Sequence, residues 1–168
     1  AGSAEDVYVK SIRWNQTGSA GASDLANTVT VVDGTSYPTM VSADGKFYTT
    51  TFPGNGLLIQ KGFNKDATVR GDIVGGSSRT VDFDIAKRTD LYLVGATYGY
   101  GITPPLAGSA ASADGAAFNN ADDYYYDAAQ VTISAGTMTV SAWTGVPAQN
   151  IAENLNNQPF GGFAVDVK

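Results

Sequence analysis

Tyrosines that stand beside acidic residues are the most unusual chemical feature of this sequence. Residues 119–130 read NNADDYYYDAAQ, with Tyr124, Tyr125 and Tyr126 in a row. A tyrosine ring offers a flat apolar surface and its hydroxyl forms hydrogen bonds, which suits a binding site. Because neighbouring side chains of an extended backbone alternate sides, Tyr124 and Tyr126 should point together and Tyr125 the opposite way. We expect one ring to anchor the segment to the core and two to remain at the surface.

Two further tyrosines, Tyr98 and Tyr100, stand where a predicted strand runs into the same segment. The glycines between and after them allow another backbone or a ligand to approach closely. We therefore expect five tyrosines to converge on one ligand-binding site, unless all of them only pin the segment down. The polar side chains that could orient a ligand there are Gln60, Lys61, Asn119 and Asn120.

Two tryptophans are assigned different environments by strand alternation. Trp143 shares a face with Thr139 and Ser141, and an exposed indole on such a polar face could stack on the apolar side of a sugar ring. The alternative is that a loop covers Trp143. Trp14 is expected in the core, and a β-bulge near Lys10 would change the face on which it lies.

Acidic and amide side chains at the start of the tyrosine segment could hold a metal ion. Asp122, Asp123 and Asp127, with Asn119 and Asn120, supply the hard oxygen ligands that Ca²⁺ prefers. The spacing does not match the calcium loop of an EF-hand. We expect either a structural Ca²⁺ at these residues or no cofactor at all, in which case they accept hydrogen bonds from a ligand or face water.

Catalysis is restricted by the residue types present. The chain has neither histidine nor cysteine, so it can build no Ser-His-Asp triad, thiol nucleophile or zinc–thiolate site. A pair of carboxylates could still act as a glycosidase pair, and Asp82 and Asp84 lie two residues apart on one predicted strand face. Alternating acids on a strand are more often solvent-facing, so we expect no enzyme.

The overall charge argues against two classes of partner. The formal net charge is −6, and the ten Lys and Arg residues are scattered. Binding nucleic acid or an anionic membrane surface needs clustered positive charge, so we expect neither. Charged residues make up only 15% of the chain, and Thr, Ser, Asn and 20 glycines supply the polarity instead. This composition is typical of secreted or cell-surface β-proteins.

Alternating apolar and polar residues predict a protein made almost entirely of strands. Asp-Gly at 33–34 and 44–45, Pro-Gly at 53–54 and Gly-Gly at 75–76 are turn signals. We predict an antiparallel, jelly-roll-like β-sandwich. The expected strands are 7–14, 28–32, 46–52, 56–61, 67–74, 79–86, 90–98, 130–135, 137–143 and 161–167.

Two segments depart from this strand pattern. Residues 99–127 lack strand periodicity and are predicted to form one long loop, a length that usually marks function or disorder. Residues 147–157 (PAQNIAENLNN) predict at most one short helix. Residues 1–3 (Ala-Gly-Ser) resemble the remnant of an expression tag, and residues 4–168 are expected to form a single domain.

The chain resembles the carbohydrate-binding modules of bacterial polysaccharide-degrading systems such as cellulosomes and amylosomes. The residues behind this resemblance are TMTVSAW (137–143), TYGYG (97–101) and YYY (124–126). The resemblance implies a non-catalytic domain that binds polysaccharide or oligosaccharide as one module of a larger secreted protein. We favour a starch-type α-glucan, because tyrosines on loops form a compact curved site more easily than a flat platform.

Two other functions remain open at this stage. The first is a structural or adhesive Ig-like domain of a bacterial cell-surface protein, in which the tyrosines serve packing. The second is a small jelly-roll polysaccharide lyase or glucanase that uses Asp82 or Asp84.

Overall fold

The computed structural model describes residues 4–105, 117–118, 124–134, 136, 138–154 and 156–167. These residues form short antiparallel strands and two single-turn 3-10 helices, Ala22–Asp24 and Arg88–Asp90, as expected for an all-β sandwich. The strands are β1 (Val7–Gln16), β2 (Leu25–Val32), β3 (Thr35–Pro38), β4 (Met40–Val41), β5 (Phe47–Thr51), β6 (Leu57–Ile59), β7 (Ala67–Ile73), β8 (Thr80–Val81), β9 (Phe83–Asp84), β10 (Leu91–Gly95), β11 (Gly101–Ile102), β12 (Ala117–Phe118), β13 (Tyr126–Asp127), β14 (Val131–Thr132), β15 (Met138–Ala142) and β16 (Phe163–Val167).

The chain divides into two compact units, Ala1–Ile133 and Ser134–Lys168. In the first, a seven-stranded sheet has the order β11-β10-β1-β5-β4, and β6 and β9 also pair with β1. A three-stranded sheet, β3-β2-β7, contributes to the same hydrophobic core. The pairs β8–β14 and β12–β13 complete this unit, and the second unit contains the antiparallel pair β15–β16. The expectation of one domain over 4–168 stays a prediction.

A β-bulge in β1 controls which of its side chains enter the core. The pairing of β1 with β10 shifts register between Val9 and Ser11. The extra residue, Lys10, lets Val9 and Ile12 both point inward, although they lie three positions apart. Trp14 follows Ile12 into the core and is 5% exposed. The predicted burial of Trp14 is confirmed, and the bulge near Lys10 that the sequence left open is present.

A chain of hydrogen bonds connects the two sheets inside the core. The Trp14 indole N–H donates to the Thr30 hydroxyl at 2.9 Å, and the Thr30 and Thr50 hydroxyls lie 2.7 Å apart. Since Thr30 accepts from Trp14, its own proton remains available for Thr50. Both threonines are fully buried. The Trp14 indole N–H and the two threonine hydroxyls therefore each have a hydrogen-bond partner within the core.

Two buried tyrosines differ in the fate of their hydroxyl groups. Tyr48 packs edge-on against Phe83, and its hydroxyl has no hydrogen-bond partner among the described residues. Tyr125 donates its hydroxyl proton to the carbonyl oxygen of Pro105 at 3.1 Å. Burial raises the pKa of both phenols. Because burial disfavours the ionised phenols, the folded state keeps its full stability below the unfolded pKa and loses stability as the pH rises from there through the folded pKa.

The segment predicted to contain a short helix is not helical in the structure. The described residues of 147–157 form turns and bends. Asn154 and Asn157 adopt positive φ angles of 66° and 59°, a left-handed conformation that asparagine tolerates better than most residues. Neither residue can therefore belong to a right-handed helix. By contrast, Asp33 and Gly34 adopt positive φ angles of 48° and 82° in the predicted turn between β2 and β3.

Replacement of Thr30 tests the hydrogen-bond chain between the sheets. We expect Thr30→Val to lower the free energy of unfolding by about 1–3 kcal/mol, because it leaves the Trp14 N–H buried without an acceptor. Thr30→Ser is the matched control, since it keeps the hydroxyl and should cost less. Urea denaturation monitored by tryptophan fluorescence measures both variants. A Thr30→Val variant as stable as the parent protein would contradict the assigned role.

Removal of the two buried phenol hydroxyls should have opposite effects. Tyr48→Phe is expected to leave the stability unchanged or raise it, because that hydroxyl is buried without a partner among the described residues. Tyr125→Phe is the control, and it should lose about 0.5–1.5 kcal/mol with its hydrogen bond. Above pH 10, Tyr48→Phe should gain stability relative to the parent, since it has no phenol to ionise. Equal losses in both variants at neutral pH would refute this assignment.

Candidate functional site

Asp82 and Asp84, expected on a solvent-facing strand side, are buried instead. Their exposed fractions are 5% and 1%. Asp84 accepts hydrogen bonds from the Thr17 hydroxyl at 2.5 Å and from the Ala128 backbone N–H at 2.8 Å. Alternation predicts that Asp82 and Asp84 share one side of the strand, but it does not predict whether other segments cover that side. Asp84 joins two distant segments, and its burial removes it from contact with a polymeric substrate.

Two more buried aspartates also serve as partners of backbone N–H groups. Asp24 accepts from the Gly21 N–H at 2.8 Å and pairs with Arg79 at 2.6 Å. Two hydrogen bonds hold the pKa of Asp24 below its ordinary value: the larger effect comes from the Gly21 N–H and the smaller from Arg79. Asp90 pairs with Arg13 at 2.6 Å in the same way. These carboxylates hold loops in place through their contacts with backbone N–H groups and arginine side chains.

The tyrosines of residues 124–126 separate into three environments. Tyr125 is the anchor, 7% exposed, and its N–H donates to the Ala86 carbonyl at 3.3 Å. Tyr124 is at the surface, as expected. Tyr126 was expected at the surface too, but it is half-buried and packs on the core beside Phe118, with 5.1 Å between ring centroids. Pairing of Tyr126 with Ile85 draws this ring inward.

Tyr98 and Tyr100 are the most exposed of the expected ligand-binding aromatics, at 71% and 76%. They lie in the turn between β10 and β11, which is closed by the Gly95 N–H donating to the Tyr100 carbonyl at 2.9 Å. The Glu5 carboxylate accepts from the backbone N–H groups of Thr97 at 2.6 Å and Tyr98 at 3.2 Å. The Glu5 carboxylate therefore holds the turn that presents both rings.

Gln60 and Lys61 reach the same end of the seven-stranded sheet. Val7 pairs with Ile59 on one side and with Gly95 on the other. Asp6 connects the two flanks, because its side chain accepts from the Lys61 N–H at 2.7 Å and its carbonyl accepts from the Ala96 N–H at 2.8 Å. Neighbouring strands lie about 4.8 Å apart, so the two flanks are about 10 Å apart. We call this surface the sheet-end site; its residues are Gln60, Lys61, Phe63, Asn64, Tyr98 and Tyr100.

Phe63 and Asn64 join the sheet-end site without having been expected from the sequence. They line a shallow depression of about 280 Å³ with Gln60. The Phe63 ring is 65% exposed. The signal that could have found these residues is GFNK (62–65), an aromatic residue between a turn glycine and two polar residues.

Trp143 lies in the second unit and is 48% exposed. Its ring rests against Gly145 and Gly162, where a Cβ atom would collide with the indole. The Trp143 backbone N–H donates to the Gly162 carbonyl at 3.3 Å. The expected exposure of Trp143 is therefore observed, and the two glycines hold the indole in place.

The remaining expected ligand residues are outside the part of the structure that is described. Asn119, Asn120, Asp122 and Asp123 belong to this group, so the calcium site at Asp122, Asp123 and Asp127 stays a prediction. Among the described residues, no three acidic side chains come together as a metal site would require. The same part of the chain contains no helix that is long and apolar enough to cross a membrane.

Comparisons of this chain with protein-family models, with curated proteins and with solved structures found no match. The side chains of the sheet-end site and their geometry are therefore the basis for assigning a function.

The carboxylate of Asp24 provides a test of how the loops are held. Since its pKa is lowered in the folded state, its stabilising effect is present above about pH 4, the ordinary range of the group, and is lost as the pH falls through the folded pKa. We expect Asp24→Asn to destabilise the protein at pH 7 and to differ little from the parent near pH 2. Denaturation curves at both pH values test this. Asp72→Asn, on an exposed aspartate, is the control. An Asp24→Asn effect independent of pH would contradict the assignment.

Proposed function

We propose that this protein binds polysaccharide or oligosaccharide at the sheet-end site and catalyses no reaction there. The observation that carries the proposal is the exposure of Tyr98 and Tyr100 on a turn that Glu5 holds in place. Water-exposed rings on a supported backbone lose little conformational freedom when a ligand binds, which favours affinity. Rings with no role in packing are a feature of a binding surface.

The chemistry of the sheet-end site suits a sugar. The apolar C–H face of a pyranose can stack on a tyrosine or phenylalanine ring, while its hydroxyls need donors and acceptors. Gln60 and Asn64 offer amide groups in the same depression as Phe63, and Lys61, next to Gln60 in the sequence, offers an ammonium group. With two flanks about 10 Å apart, a short oligosaccharide could contact both. We keep a starch-type α-glucan as the proposed ligand, because this site is compact.

The burial of the acidic residues supports a binding role over a catalytic one. A glycosidase needs two carboxylates facing each other across a substrate cleft. Asp84 instead has both oxygens engaged by Thr17 and Ala128. The low fraction of charged residues and the high Thr and Gly content support the further proposal that the protein acts outside the cell, at the surface or as part of a secreted assembly.

A structural or adhesive role in a cell-surface protein is the second candidate. The observation that favours it is the apolar face of the β15–β16 pair, which is exposed in the second unit. Such a face needs to be covered by other protein. This role and sugar binding use different surfaces, so one protein could have both.

Substitution at the sheet-end site tests the sugar proposal. Titration calorimetry with soluble starch, xylan and pectin should show binding to one of them, with starch expected. We expect Tyr98→Ala and Tyr100→Ala each to weaken the dissociation constant about 2- to 12-fold, taking 0.5–1.5 kcal/mol per aromatic contact as in aromatic pairs.

Phe160→Ala is the matched control for these substitutions. Phe160 is an exposed aromatic residue outside the sheet-end site, so its removal should leave the affinity unchanged. The absence of heat with all three polysaccharides would refute the proposal. Equal weakening by Phe160→Ala would place the binding surface elsewhere.

A further inference from the structure

An apolar groove opens into the core of the first unit beside β7. Its volume is about 1000 Å³, and its walls come from both sheets and from β14. The lining includes Leu25, Ile59, Val69, Leu93, Tyr126 and Val131. These are aliphatic and aromatic side chains that would normally be covered in a sandwich core. The groove therefore resembles part of a sandwich core from which one covering segment is missing.

One wall of this groove is the free edge of a strand. Within the described residues, β7 pairs with β2 alone and ends the order β3-β2-β7. Val69 packs on the core, and strand alternation directs the side chains of its neighbours Thr68 and Arg70 to the opposite face, while both residues still border the groove along the strand edge. An edge strand exposes backbone N–H and C=O groups that can pair with an additional strand. The edge of β7 can thus supply backbone hydrogen bonds while the groove receives side chains.

The second unit exposes a strand pair with a matching apolar face. Met138, Val140 and Ala142 stand directly opposite Val167, Val165 and Phe163, so all six share one face. Every one of these side chains is exposed. An isolated pair of strands is only marginally stable in water, and an apolar face of this kind is expected to be covered.

We propose that strand β16 of a second copy of this chain adds to the free edge of β7 and places its apolar side chains in the groove. Strand addition of this kind combines backbone hydrogen bonds with pockets for alternate side chains. Phe163, Val165 and Val167 would enter the groove. Copies joined in this way would form either a closed dimer or a longer assembly.

Charge complementarity selects β16 as the added strand. With Val165 and Val167 directed into the groove, Asp166 must point to the outer face, because side chains alternate. Arg70 lies on that same outer face of β7 and forms no ion pair with any described residue. Strand β15 carries Thr139 and Ser141 at the corresponding positions and offers no charge to Arg70. An Asp166–Arg70 pair across the new edge therefore favours β16.

The oligomeric state of the full chain tests this proposal. Sedimentation and light scattering over about 1–200 µM, a range that brackets micromolar affinity, should show dimers or larger species. We expect Val165→Asp to weaken association at least tenfold, because it replaces a side chain worth about 1.5–3 kcal/mol of burial by a charge. Ser141→Asp is the control, since it adds the same charge to the polar face opposite Ala164, and it should associate like the parent.

A charge exchange makes the assignment specific. Arg70→Asp and Asp166→Arg should each weaken association, and the double variant should restore part of it. Circular dichroism checks that each variant remains folded. A protein that is monomeric at every concentration overturns the proposal, as does association that is insensitive to both Val165→Asp and Arg70→Asp. Sugar binding at the sheet-end site is measured separately and would be retained in Val165→Asp, so the two proposals can fail independently.

Discussion

The first unit depends on a single extra residue in β1. This strand pairs with β5, β6, β9 and β10, so its alternation determines which face of the larger sheet is apolar. The bulge at Lys10 brings Ile12 and Trp14 to the same side as Val9. Without it, Trp14 would lie on the outer face and could not donate to Thr30 between the sheets. Because β1 lies in the middle of the larger sheet, the whole core depends on this one bulge.

Several buried carboxylates of this protein hold backbone groups in place. Asp24, Asp84 and Asp90 each accept from a backbone N–H, and all three are buried. A chain with few charges uses its carboxylates to hold long connections against the sheets. The sheet-end site depends on the same device, because Glu5 supports the turn that presents Tyr98. The same kind of carboxylate–backbone hydrogen bond therefore holds the buried connections and supports the turn that carries Tyr98.

Much of the strand content was predictable because alternation is a local property. Each of the ten expected strand segments contains a described strand, and the Asp33–Gly34 turn was recognisable from glycine's tolerance of positive φ. The sequence missed β3, which is short, polar and ends at a proline, and the two-residue strands β4, β11, β12 and β13, which are too short to show alternation. The last three lie within residues 99–127, so the prediction of one loop without strands there was wrong. The expected convergence of tyrosines was only partly met: Tyr98 and Tyr100 share a turn, whereas Tyr125 is in the core and Trp143 belongs to the second unit.

The sequence alone determined the class of fold, the turns, the absence of histidine and cysteine chemistry, and the anchoring role of one tyrosine. Only the tertiary structure decided that Asp84 is buried, that Lys61 lies at the same sheet end as Tyr98, and that the edge of β7 borders an open apolar groove. The physical reason is the range of the interactions. Alternation and turn preference act between neighbours in the chain, whereas burial and edge pairing depend on segments that are far apart in sequence.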